Sequence, residues 1–179
     1  NERAQVFYRA GDFAAAGEAF EEAAQVARRA GVDSLARQAE RALPVCAYRA
    51  AEAAVTADST KHERHAELFE QVTKRWPEYE HAPIAQYRAG LAWLDAGRTS
   101  EAVRALEVLT ERWPKHKLAR EARLRIAQSW EAAGEDARAS TAWLEYANRH
   151  PGDKDAPGAW LRAADLADSA GQGARADEL

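Results

Sequence analysis

The side chains richest in possible chemistry lie between residues 62 and 81: His62, Glu63 and His65, with His81 downstream. Two histidines three positions apart share a helix face and, with a carboxylate, offer a zinc-ligand set. The spacing is H-E-x-H, however, and the metalloprotease pattern needs its histidines at i and i+4, so packed or solvated rings and no metal are expected. Cys46 is the single cysteine and sits among alanines, which excludes an internal disulfide or a cysteine-rich zinc module and points to an inert buried thiol. No glycine-rich phosphate loop, nucleophile elbow or Ser/His/Asp set is present. No catalytic residue, no cofactor and no enzymatic activity are therefore expected. What remains is recognition. Arg88, Arg125 and Arg162 recur at one interval, and the planar fork of arginine suits carboxylates. A second run, Arg112, Lys115, Lys117, Arg120 and Arg123, has only Glu111 and Glu121 against it, and reads either as a basic patch for an acidic partner or as a solvated face.

Six tryptophans could suggest a stacking platform for single-stranded nucleic acid. The charge balance argues otherwise: Lys+Arg 25 against Asp+Glu 29 gives a net charge of −4, where nucleic-acid binders usually carry a basic excess. Trp93, Trp130, Trp143 and Trp160 fall at apolar-stripe positions and should pack, leaving Trp76 and Trp113, each beside a proline, as the expected exposed aromatics. No apolar run approaches the roughly 20 residues that cross a bilayer, so no direct membrane insertion is expected.

The elements that position these groups follow from a period. Pro77, Pro114 and Pro151 stand 37 residues apart (114 − 77 and 151 − 114), and Gly97, Gly134 and Gly171 keep the same interval. Each unit reads as two helices. Tyr87, Gly90, Leu91 and Leu94 recur at helical spacing before Gly97 ends the first. Ala102, Leu106, Leu109 and Trp113 mark the second, and Pro114 forbids its continuation. Alanine fills about a quarter of the chain, as closely packed helices require. Upstream the pattern degrades. Thr60 replaces the loop glycine, His65 takes the place of Ala102, and Thr60 with Glu63 reads as a capping box. A long helix is expected from about Ser34 to Ala57, bent or broken at Pro44. The array is divided into a truncated unit at about 1–32, a long degenerate unit at 33–77, units at 78–114 and 115–151, and a partial unit at 152–179. The absent initiator methionine and these incomplete ends suggest a piece of a longer protein.

The series Gly90-x₂-Trp93, Gly97, Ala102-x₃-Leu106 and Pro114, repeated as Ala127-x₂-Trp130, Gly134, Ala139-x₃-Trp143 and Pro151, resembles the tetratricopeptide repeat, a helix–turn–helix unit of about 34 residues. Arginine and an aromatic before the proline, with the longer unit, resemble a bacterial envelope subtype found in the Tol-Pal coordinating protein and in the lipoprotein of the outer-membrane β-barrel assembly machinery. The resemblance implies an all-α, right-handed α-solenoid of stacked hairpins acting as a non-catalytic scaffold for a partner protein or peptide. It places a partner-binding groove on Tyr87, Arg88, Leu91, Leu94, Leu124, Arg125, Gln128, Leu161 and Arg162, with an acidic partner implied by the arginines. The chaperone-type carboxylate clamp is not matched, since Tyr87, Leu91, Leu124 and Gln128 stand where it needs Lys and Asn. The envelope subtype favours the bacterial periplasm. Two alternatives stay open: a cytoplasmic adaptor of a motility or signalling complex, and a structural spacer that self-associates.

Overall fold

A computed structural model describes residues 2–171. These form nine helices and no strand: α1 (Glu2–Arg9), α2 (Phe13–Arg29), α3 (Asp33–Ala57), α4 (His62–Arg75), α5 (Ala82–Asp95), α6 (Thr99–Arg112), α7 (Lys117–Ala132), α8 (Asp136–Arg149) and α9 (Ala156–Ser169). The architecture is an all-α helical repeat. The second helix expected for the 152–179 unit lies outside the described residues.

The sequence period is written into the backbone. Gly97, Gly134 and Gly171 adopt φ of 72°, 71° and 73°, a left-handed conformation that costs glycine nothing. At Gly97 the amide donates to the Leu94 carbonyl while Arg98 N–H reaches back to Trp93; Gly134 and Glu135 do the same with Glu131 and Trp130. These paired bonds satisfy the last carbonyls of α5 and α7. Each following helix ends alike, at Trp76, Trp113 and His150, whose amides close on Val72, Leu109 and Tyr146 before the proline.

Two expectations about the degenerate region meet different outcomes. The long helix is present as α3, and it runs through Pro44 as one element instead of breaking there. The capping box is not formed. The Thr60 hydroxyl donates to Asp58 Oδ1 at 2.6 Å and the Thr60 amide to the same oxygen at 3.0 Å, so a local turn captures the group expected to cap α4. The helix opens one residue later, after Lys61, which supplies no side-chain cap.

The chain divides into two compact units, residues 1–85 and 86–179. In the first, Ala4, Ala16, Phe20, Ala39, Leu43 and Cys46 form the core, and His65 is buried where a small residue was expected. In the second, Val103, Leu106, Leu109, Ala119, Ala122 and Ile126 form one cluster, and Ala127, Ala139, Trp143, Tyr146 and Ala163 another. Gly90 shows why small residues are needed: a Cβ there would stand 2.7 Å from Leu106 Cγ. That is closer than van der Waals contact allows, so α5 and α6 approach only because the side chain is missing.

Candidate partner-binding face

Every residue assigned to the expected groove falls in the 86–179 unit. α5 carries Tyr87, Arg88, Leu91 and Leu94, all half-buried; α7 carries half-buried Leu124 with exposed Arg125 and Gln128; α9 carries exposed Leu161 and Arg162. Their 37-residue spacing puts equivalent side chains on successive first helices, and contacts tie the three helices together at this level. Tyr87 packs against the Leu106 cluster. Its phenol is pushed above the ordinary value by burial, and the Arg125 cation of α7 pulls the other way. Arg162 of α9 reaches Glu131 of α7 at 3.1 Å.

The arginines are engaged within the chain. Arg125 pairs with Glu121 one turn earlier at 3.4 Å. Arg162 pairs with Glu131 and lies over the Trp143 ring, 5.3 Å from its centroid. The other Glu131 oxygen accepts the Trp143 indole N–H at 2.8 Å. Glu131 is thus the hub of this corner, and no ladder marked it, because the equivalent positions hold Leu94 and Asp168. Exposed pairs of this type contribute about 0–1 kcal/mol each, so a ligand carboxylate can replace one at little cost. The apolar element is Leu161. It is 69% exposed, the one large apolar side chain so exposed among the described residues of this unit. A scattered surface leucine is ordinary; this one precedes Arg162 on α9 and repeats, 37 residues on, the position of half-buried Leu124 on α7.

The second basic run does not form one patch. Arg112, Lys115 and Lys117 are exposed. Arg120 is exposed but held, bonding Asp153 at 2.6 Å and the Tyr146 hydroxyl at 3.3 Å. Arg123 turns inward and is 7% exposed, donating to the carbonyls of Ala119 and Thr110. Its helical phase explains this: with Ala119, Ala122 and Ile126 it lies on the buried stripe of α7, a signal present in the sequence beneath the charge. Beside it, burial first and then Arg123 and Arg120 hold the His150 imidazole below its ordinary value.

The remaining expectations sort simply. The His62 and His65 rings sit 6.3 Å apart, while His81 instead meets Tyr79 edge to face and Tyr48 at a tilt. Among the described residues no group of three or more His, Cys, Asp or Glu is placed to hold a metal. Cys46 is buried, and burial raises its thiol pKa. Trp143 is buried as expected. Trp76 and Trp113 are half-buried, as are Trp93, Trp130 and Trp160, so the exposure expected of the proline-flanking tryptophans is not found. No helix among the described residues is long and apolar enough to cross a membrane.

Comparison with known proteins agrees with this geometry. Residues 84–116 and 121–153 match the tetratricopeptide repeat family. No curated protein matches the chain. Such repeats are generally non-catalytic modules for binding other proteins.

Proposed function

From these two matches as premise, we propose that the chain is a non-catalytic scaffold that binds a partner protein or peptide along the first helices of successive hairpins. Tyr87, Leu91, Leu94, Leu124 and Leu161 supply apolar contact, Arg88, Arg125 and Arg162 orient acidic groups, and Gln128 bonds the partner's backbone. Leu161 carries the reading: an apolar side chain left 69% in solvent beside Arg162 has a use when a partner covers both. The hairpins at 78–114 and 115–151 form, with the units at 1–32, 33–77 and 152–179, a single array. The arginine–aromatic–proline endings support an assignment to a bacterial envelope assembly.

The test is charge reversal. Arg88→Glu combined with Arg125→Glu should abolish capture of a partner from a bacterial envelope extract by the immobilised chain, while circular dichroism shows unchanged helicity. Capture that survives the double reversal removes the groove. The self-associating spacer is separated by light scattering, where it alone produces mass that grows with concentration.

A further inference from the structure

The residue 1–85 unit holds an open cavity of about 610 Å³ that shares no residue with the proposed face. It lies between the first half of α3 and the segment that leaves α4. Its floor is apolar: Leu43, Pro44 and Trp76, with Tyr79 closing one side. Burial pushes the Tyr79 phenol up to about 12, so this wall stays uncharged.

The rim is cationic. Arg37 and Arg41 lie one turn apart on α3, both exposed, and neither forms an ion pair among the described residues. The other charges at this cavity are mostly spoken for. Glu40 is paired with Arg28, and Arg75 bonds Glu21 at 2.6 Å while lying over the Trp76 ring at 4.7 Å. Glu78 is the remaining carboxylate of the lining. Two uncommitted guanidiniums thus stand over an apolar floor in a chain whose net charge is −4.

One backbone feature narrows the occupant. Pro44 lies inside α3, and having no N–H it gives no helical hydrogen bond to the Glu40 carbonyl. Both residues line the cavity. The site therefore combines two carboxylate-binding forks, an apolar floor and a Glu40 carbonyl to which Pro44 offers no N–H. A phosphate or a lipid headgroup would use only the first of these. A peptide supplies all three partners: carboxylates, an apolar side chain and an amide N–H.

We propose that this cavity is a second docking site, for an acidic peptide segment in which an apolar side chain is flanked by carboxylates. The apolar side chain enters between Pro44 and Trp76, the flanking carboxylates pair with Arg37 and Arg41, and a backbone N–H of the peptide donates to the Glu40 carbonyl.

The experiment uses the whole chain and a fluorescein-labelled peptide of glutamate–glutamate–leucine triplets, read by fluorescence anisotropy. Wild type should bind it, and Arg37→Glu with Arg41→Glu should weaken binding about tenfold or more. The milder Arg37→Gln with Arg41→Gln pair should weaken it too, with helicity checked by circular dichroism for both. An all-glutamate peptide of the same length should bind less well, since it has nothing for the floor. Arg88→Glu with Arg125→Glu should leave the binding unchanged, which separates this site from the proposed groove. No binding by wild type, binding that survives both arginine pairs, or equal binding of the leucine-free peptide would each overturn the proposal.

Discussion

The two units solve the same packing problem with different fidelity to the period. In residues 86–179 the turns repeat nearly to the degree, with Gly97 and Gly134 at φ of 72° and 71°, and both stretches that match the tetratricopeptide repeat family fall here but for Ile84 and Ala85. In residues 1–85 Gly11 and Gly31 close turns of the same kind at φ of 81° and 72°. Thr60, however, stands in place of the next loop glycine, α3 is 25 residues long and contains a proline, and Val6, Val26, Val32, Leu35 and Val55 are exposed. Both units nevertheless bury alanine-lined cores. The period governs the turns; the spacing of small residues governs the packing, and the second survives where the first decays. Loss of strict repetition also frees positions. Pro44 and the pair Arg37 and Arg41 belong to no ladder, and they form the cavity.

The widest difference between the units should come from their tryptophans. Trp143, in the second unit, is 4% exposed, donates to Glu131 and meets Tyr146 edge to face. Trp143→Ala should therefore cost about 3–5 kcal/mol. Trp76, in the first unit, is half-buried under Arg75, and Trp76→Ala should cost about 1–2 kcal/mol. Urea denaturation followed by circular dichroism measures both, and equal losses would dissolve the contrast between a cored and a rimmed aromatic.

A finer probe compares two helical glycines. At Gly90 a Cβ would meet Leu106 Cδ2 at 2.6 Å and Cγ at 2.7 Å, and Leu106 is fully buried with little room to retreat. Gly90→Ala should destabilise by about 1–3 kcal/mol through overpacking, despite the better helix propensity of alanine. At Gly17, in the first unit, the nearest atom to a new Cβ is Cys46 Cβ at 3.6 Å, an ordinary contact. Gly17→Ala should stabilise by about 0.5–1 kcal/mol. Melting temperatures moving in opposite directions are the expected result, and two shifts of the same sign would mean that close helix approach is not what selects Gly90.

What was legible in the sequence was periodic. The glycine turns, the proline stops and the small residues at Gly90, Ala102, Ala127 and Ala139 all recur at 37 residues, so each copy supported the others. What escaped notice occurs once. Glu131 gathers Trp143 and Arg162 from two other helices, a convergence that only tertiary packing creates. Arg123 was masked by its charge, though its helical phase with Ala119, Ala122 and Ile126 already pointed inward. The cavity at Trp76 joins residues more than thirty positions apart, beyond the reach of any local pattern. At Thr60 the motif was legible but a competitor two residues away prevailed.

That competition gives the smallest predicted effect, and it distinguishes the Thr60 turn of the first unit from the turns at Gly97 and Gly134 in the second. Asp58 accepts two bonds from Thr60 and faces Lys61 Nζ at 3.3 Å. The Thr60 side-chain and backbone hydrogen bonds, with Lys61 adding to them, lower its carboxyl from the ordinary 3.8 to about 2. A depressed folded-state pKa means that the ionised form holds the turn together. Its stabilisation is complete above the unfolded-state value and is lost as pH falls from about 4 through about 2. The glycine turns at Gly97 and Gly134 need no carboxylate, because the backbone itself closes them. Asp58→Ala should therefore be less stable than wild type at neutral pH, and the gap should narrow as denaturation midpoints are measured between pH 4 and pH 2. A gap that stays constant over that range would show that the Asp58 charge does not hold the turn, leaving Thr60 without a reason to forgo the cap of α4.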